Sequence, residues 1–386
     1  MHKTIPLAVF LFAACNFAAQ AGTLNDSDAG AEKPVNNHAS APAALTEQPM
    51  FRFGGFGSLG ASRSNQDQGD YVLYESLPKG AGRSGNWTAG NNTRVAAHVS
   101  ANFTPAVSAI LQVDSEYHSD DSYSPRVELV NVKYAFDPDF YMRVGRLALP
   151  TFLDSENHDV GYSYAWVNPP VDLYQLSIHS TDGVDATYRS EIGEAVNSIK
   201  AMYGSRSNAK EMWGFFDKLE YGQATFQIGY QERQSLTLNQ LSGVSEAWIR
   251  NSDLSVGASY DRGNWFAMYE WLQRRSIFKI NAMYVSGGYR INEFTPYVTY
   301  SRIAPGTFLP GYSAPTAAAV QLANRSQRTT SLGVRWDFMR NTDFKIQYDR
   351  VRLGDNSNGY LVNVPPDVSL HGSSFHVITA VVDFVF

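Results

Sequence analysis

What this chain lacks narrows it quickly. Its one cysteine, Cys15, falls in an apolar N-terminal run, so everything after that run is free of thiols and no disulfide can staple it. That fits an oxidising compartment. Beyond the same run there is no stretch of about 18 apolar residues, which excludes a helix spanning a bilayer. A chain of this kind can cross a membrane only as a closed barrel, the other architecture that satisfies every backbone polar group internally. Strong charge is missing too. The formal net charge is -6, becoming -7 once Lys3 leaves with the N-terminal run, and so modest an acidity marks no nucleic acid as a partner.

What is present is aromatic and rich in glycine: 22 Tyr, 22 Phe and 30 Gly beside a slightly negative mean hydropathy. Strands whose lipid-facing apolar residues alternate with water-facing polar ones have this balance. At the N-terminus, Met1-His-Lys3, the apolar run Ile5 to Ala14 and the small residues Ala19-Gln20-Ala21 have the charge, length and A-x-A site of a secretory signal. Residues 1–21 are therefore set apart from the fold, with a lipoprotein site at Phe12-Ala13-Ala14-Cys15 as the alternative reading. Residues 22–50, rich in Ala, Asn, Asp and Pro and almost without aromatics, cannot bury a core and are expected to form a flexible leader.

From Phe51 onward, alternating segments are separated by one short gap and one long gap in turn, and sixteen strands are expected between 51–62 and 374–386. Thr104-Pro105, Asp137-Pro138-Asp139, Tyr221-Gly222 and Arg262-Gly263 are among the tight turns. The stretches 63–92, 148–179, 235–250, 304–325 and 354–373 are the long loops. In the last strand His376, Ile378, Ala380, Val382, Phe384 and Phe386 fall on one face, with Thr379 and Asp383 on the other. Leu332, Val334, Trp336 and Phe338 likewise oppose Ser331, Gly333, Arg335 and Asp337. An Arg or Lys facing lipid near the midplane costs about 2 to 4 kcal/mol, so the charged faces belong to the lumen. At about 16 to 18 strands a barrel encloses an aqueous channel that wall side chains alone cannot fill.

Export signal, strand count, loop order and the terminal strand ending on Phe386 together resemble the Gram-negative outer-membrane porins, over most of residues 51–386. The resemblance is architectural, and the Pro-Glu-Phe-Gly motif of familiar porins is missing from the third external loop, 148–179. It implies an all-β transmembrane antiparallel β-barrel of about 16 strands, with the third external loop, 148–179, folded inward. It further implies a homotrimer set among bilayer lipid and lipopolysaccharide, passing small hydrophilic solutes without cofactor, metal or catalysis. Carried onto this chain, Asp154, Glu156 and Asp159 would line one side of a constriction, facing Arg94, Lys133 and Arg143, with Arg52 and Arg146 near strand ends. Opposed rows of acid and base would set up a transverse field that discriminates solutes by charge and dipole.

Other readings of the residues stay open. Tyr162, Tyr164 and Trp166 on the inward loop are placed for an aromatic slide under sugars or ring compounds, which would make the channel substrate-selective. His98, Ser100 and Asp114 are the residue types of a hydrolase, and the loop from Ala304 to Arg325 would serve an adhesin. Asp120-Asp121, with Asp114 and Glu116, are either oxygen ligands for a divalent cation or a hydrated loop. Trp265, Tyr269, Trp271 and Tyr284 are assigned to the interfacial girdle. Lys279 is counted among the inward bases. Gly54-Gly55-Phe56-Gly57 would either admit a neighbouring barrel or ease the curvature of the sheet.

Overall fold

A period-two alternation that places apolar side chains on one face and polar ones on the other drives each segment into an extended strand, and the strands close on themselves. The computed structural model describes residues 50–175, 179–237, 247–310 and 324–386. Residues 1–49, where the sequence leads one to expect a signal and most of a leader, lie outside the described residues. The first half of the wall consists of β1 (Phe51–Ser64), β2 (Arg94–Asn102), β3 (Val107–Glu116), β4 (Arg126–Ala135), β5 (Phe140–Ala148), β6 (Ser180–Ile192), β7 (Ala195–Arg206) and β8 (Ala209–Tyr221). The second half is β9 (Ala224–Thr237), β10 (Ala247–Arg262), β11 (Trp265–Arg275), β12 (Phe278–Tyr289), β13 (Phe294–Ile303), β14 (Gln327–Met339), β15 (Thr342–Leu353) and β16 (Ser374–Val385). Each runs antiparallel to its predecessor, and β16 returns to β1 in a register from Ser64↔Val377 to Phe56↔Val385. The result is an all-β, closed sixteen-stranded barrel.

One rim carries only short turns. At Gly222 and Gly263 the chain reverses with φ of 57°, a left-handed conformation that a residue without Cβ adopts freely. At the other rim the strict alternation of long and short gaps fails twice. Arg206 and Ala209 pair directly across Ser207-Asn208, and only Ser276-Ile277 separates β11 from β12. At the first of these, strand pairing has continued into residues 205–212, which composition alone assigns to a gap between strands.

The outer face is apolar, with Phe53 and Val144 among its most exposed residues at 81% and 60%. Gly55 and Gly57 have a reason beyond close approach or curvature. A Cβ at Gly55 would meet the Phe386 ring, and one at Gly57 the Phe384 ring, so these glycines make room for the C-terminal aromatics on the seam of the barrel. Trp265 and Tyr269 are exposed on the same outer surface. Tyr284 is not with them. It is fully buried and points inward, donating to Glu270 Oε1 at 2.8 Å.

β12 corrects the expected inside-outside assignment more broadly. Ile280, Ala282 and Tyr284 are its buried, inward residues, which places Lys279 on the outer face opposite Arg275. An apolar inner face is stable here because Phe152, Trp166, Leu173 and Tyr174, from the segment between β5 and β6, cover it in one cluster with Leu272, Tyr297 and Ile303. A second cluster, at the long-loop rim, packs Tyr71, Leu73 and Leu361 on Val351, Leu353, Phe375 and Val377. The bore is therefore polar along part of its wall and apolar where loops dock.

Candidate functional site

The connection from β5 to β6 has little regular structure: one turn of 3-10 helix at Gly161–Ser163 and the short helix α1 (Val171–Tyr174). Its position is set by hydrogen bonds to inward-facing side chains of distant strands. Gln227 of β9 donates to the Pro150 carbonyl at 3.0 Å, and the Leu153 amide donates to Glu270 of β11 at 3.2 Å. Trp166, 2% exposed, donates from Nε1 to Ser286 of β12 at 2.8 Å. Arg335 of β14 donates to the carbonyls of Tyr162 and Tyr164 at 2.7 and 3.1 Å, and Lys345 of β15 to that of Gly161 at 2.6 Å. Asp172 in α1 accepts from Gln327, Ser301 and Thr329 at 2.6, 2.8 and 3.2 Å. Burial raises the pKa of this carboxyl, and the three donated bonds oppose the rise.

The other side of the segment carries its carboxylates toward the first half of the wall. Asp159 meets Arg94 of β2 at 2.5 Å and His158 Nε2 at 3.2 Å. Glu156 meets Lys200 of β7 at 2.6 Å and lies 3.6 Å from Arg143 of β5. Arg143 is itself clamped by Asp185 of β6, with its NH2 nitrogen 2.5 Å from Oδ2 and Nε 3.1 Å from both oxygens. Lys200 is the main cause holding the Glu156 carboxyl at about 2, far below its usual range. Asp154 has the opposite character. Burial pushes its pKa up to about 6, and its Oδ2 has no hydrogen-bond partner.

Of the residues the sequence nominates, Arg94, Arg143, Glu156 and Asp159 form two contacts between segment and wall. Lys133 stands directly opposite Arg143 in the register, its ammonium 4.0 Å from the centre of the Tyr141 ring. Arg52 lies on β1 opposite Ser100. Arg146 is elsewhere. Three residues from Arg143, it falls on the other face of β5, where it pairs with Asp182 at 2.7 Å. An odd separation along a strand inverts the face, so this placement was already written in the spacing. The acids and bases also touch rather than face each other over a gap, because partly buried opposite charges gain more from charge-assisted contact than from separate hydration.

Sequence reasoning left out Lys200 and Asp185 as partners in this cluster, although period two puts both on inner faces. It also left out a buried trio in the wall, where Asp253, 0% exposed, holds Arg233 at 2.7 Å and Arg274 at 2.6 Å. The aromatic slide is not available as envisaged, since Trp166 is sealed against β12. Asp120 and Asp121 are each taken by a cation of the chain, Arg126 at 2.8 Å and Lys79 at 2.5 Å, and no group of three metal-ligating side chains occurs among the described residues. Register places Asp114 across from Ala96, Gln112 across from His98 and Ile110 across from Ser100, so no two of the three hydrolase candidates are directly opposed. Most of the long loop assigned to adhesion, residues 311–323, lies outside the described residues.

No family model matches the chain, and no curated protein sequence does either. Solved structures do match in fold. The anion-selective porin from Comamonas acidovorans is 11% identical with a TM-score of 0.58, over 87% of this chain and 99% of that one. The outer membrane channel DcaP of Acinetobacter baumannii gives 12% and 0.56, over 87% and 97%. The trimer form of OmpT, an outer membrane protein of Vibrio cholerae, gives 13% and 0.56, over 88% and 100%. The chain has the fold of the outer-membrane porins.

Proposed function

We propose that this protein is an outer-membrane channel for small hydrophilic solutes and ions, narrowed by the segment between β5 and β6. The observation that carries the reading is the two-sided attachment of that segment. One side is bonded to β9 and β11 through β15, and the other sends Glu156 and Asp159 to β7, β5 and β2. A segment held this way divides the bore, and the passage it leaves is bordered by Arg94, Arg143, Glu156, Asp159 and Lys200. Asp185 stands behind them. Solutes passing there meet fixed charges of both signs, which screen by charge as well as by size.

In this reading the rim with short turns is periplasmic, the chain assembles as a trimer and catalysis plays no part. The fold shared with porins supports it. Reconstituted in a planar bilayer, the protein should open stepwise ionic conductances. A barrel that inserts and stays silent sinks the proposal. Selectivity for one anion, sugar or aromatic acid is the finer alternative, and would appear as saturable block of the current by that solute.

A further inference from the structure

Two carboxylates meet at the inner wall of β13 to β15 with no basic side chain to answer them. Asp172 of α1 is 0% exposed and Asp349 of β15 is 3% exposed, and they lie within electrostatic reach of each other. Among the described residues neither pairs with Lys, Arg or His. The inward bases of β14 and β15 are spent elsewhere, Lys345 on the Gly161 carbonyl and Asp383, and Arg335 on Asp337, Asp343 and the carbonyls of Tyr162 and Tyr164. Buried charges of one sign are costly unless an opposite charge joins them.

Beside them lies a cavity of about 20 Å³, bounded by Tyr71 from the connection between β1 and β2, Trp166 from the segment between β5 and β6, and Ser301, Thr329, Ser331 and Asp349 on the wall. That is room for one particle of the size of water and too little for an organic solute. The polar lining is of one kind. Ser301 and Thr329 donate their hydroxyl hydrogens to Asp172 at 2.8 and 3.2 Å, and Ser331 donates to Asp349, so these hydroxyls have only lone pairs left for the cavity. Register keeps them together, with Ser301 opposite Thr329 and Ser331 opposite Asp349. Tyr71 is an independent sign of a ligand. It is 8% exposed, and its hydroxyl has no hydrogen-bond partner among the described residues. Burial, and then the charges of Asp349 and Asp172, raise its pKa, so this oxygen lies within reach of both carboxylates.

We propose that this cavity binds a calcium-sized divalent cation, with Asp349 as its charged ligand, the hydroxyl oxygens of Ser301, Thr329, Ser331 and Tyr71 around it, and Asp172 as the second charge of the site. No His or Cys lines the cavity, and an all-oxygen lining suits a hard cation. Calcium accepts six to eight oxygens in flexible geometry, so hydroxyls complete a set for which two acids alone are too few. Two carboxylates neutralise one divalent ion. Bound there, the ion fastens the connection carrying Tyr71 and the helix α1 to the same three strands. The site rests on the cavity and not on the barrel's conducting.

The test titrates the detergent-solubilised full-length protein, first stripped of metal with a chelator, with CaCl2 by calorimetry, and with Tb3+ as a luminescent stand-in excited through Trp166 and Tyr71. The wild type should take up calcium saturably, with half-saturation at or below about 1 mM, and calcium should displace Tb3+. D349N should bind at least about tenfold more weakly, and S331A and Y71F should weaken binding less. W166F should dim the Tb3+ emission and leave calcium affinity unchanged, which locates the ion beside that ring. Circular dichroism reports folding, and should D349N fail to fold, Y71F, which alters no wall residue, decides in its place. The proposal is overturned if the wild type shows no saturable uptake, if Na+ or K+ displaces Tb3+ as readily as calcium does, or if folded D349N or Y71F binds as the wild type does. Emission unchanged in W166F likewise overturns it, because the ion would then sit elsewhere. A silent barrel that still binds calcium here would refute the channel reading and leave this one standing.

Discussion

Glu156 stands at the balance point of the cluster. Lys200 and Arg143 are both near it, while Asp185 already answers Arg143, so removing its charge leaves an unmatched positive group beside the passage. E156Q should move the reversal potential under a salt gradient toward anion preference, and an unchanged potential would mean that ions do not pass this point. Because Glu156 is held at about 2, the wild-type pair should persist wherever pH exceeds its ordinary 4.5 and fade only as pH falls toward 2. Asp154 has the reverse sign. A carboxyl whose pKa rises to about 6 in the docked segment binds its proton more tightly there than when released, so docking is favoured at low pH and weakened as pH climbs through 6. D154N should therefore stabilise docking above pH 6 and have no effect below 3.8, as read by limited proteolysis of the segment across pH.

The segment between β5 and β6 behaves as an element with little regular structure, held by anchors. Lys345, fully buried, donates to Gly161 and lies 2.9 Å from Asp383, so K345M strips that carboxylate of its cation and frees a backbone carbonyl at once. Loss of one partner from a buried pair costs about 3 to 5 kcal/mol. The expected outcome is a lower unfolding midpoint in denaturant together with larger, noisier single-channel currents. Asp172 offers a milder case. D172N keeps the shape but sets an amide against the Gln327 amide, and should raise conductance with little change in the midpoint of the barrel. The strand tally and most strand faces were legible in the chain because period two is a local property. β12 was misread for a physical reason: its inner face is apolar only because Trp166, Leu173 and Tyr174, remote in sequence, cover it.

As an assembled barrel the molecule joins a long-range seam, β1 to β16, to an inner wall that bonds the segment between β5 and β6. Replacing residues 150–175 by a short Gly-Ser linker should leave the β-sheet signal of the barrel intact and raise conductance severalfold. A folded barrel with unaltered conductance would show that the segment does not limit flow. The sequence by itself determined the closed, sixteen-stranded, membrane-facing barrel and the inward set of Arg94, Arg143, Lys200, Arg335 and Lys345, because side-chain direction in a strand follows from counting residues; the same count turns Arg146 outward, against its assignment to the constriction. Only the tertiary structure decided that Glu156 finds Lys200 and that Asp172 finds Gln327. Those pairings depend on strand register and on which wall residues the segment between β5 and β6 bonds to, and both are fixed by contacts between residues far apart in the chain.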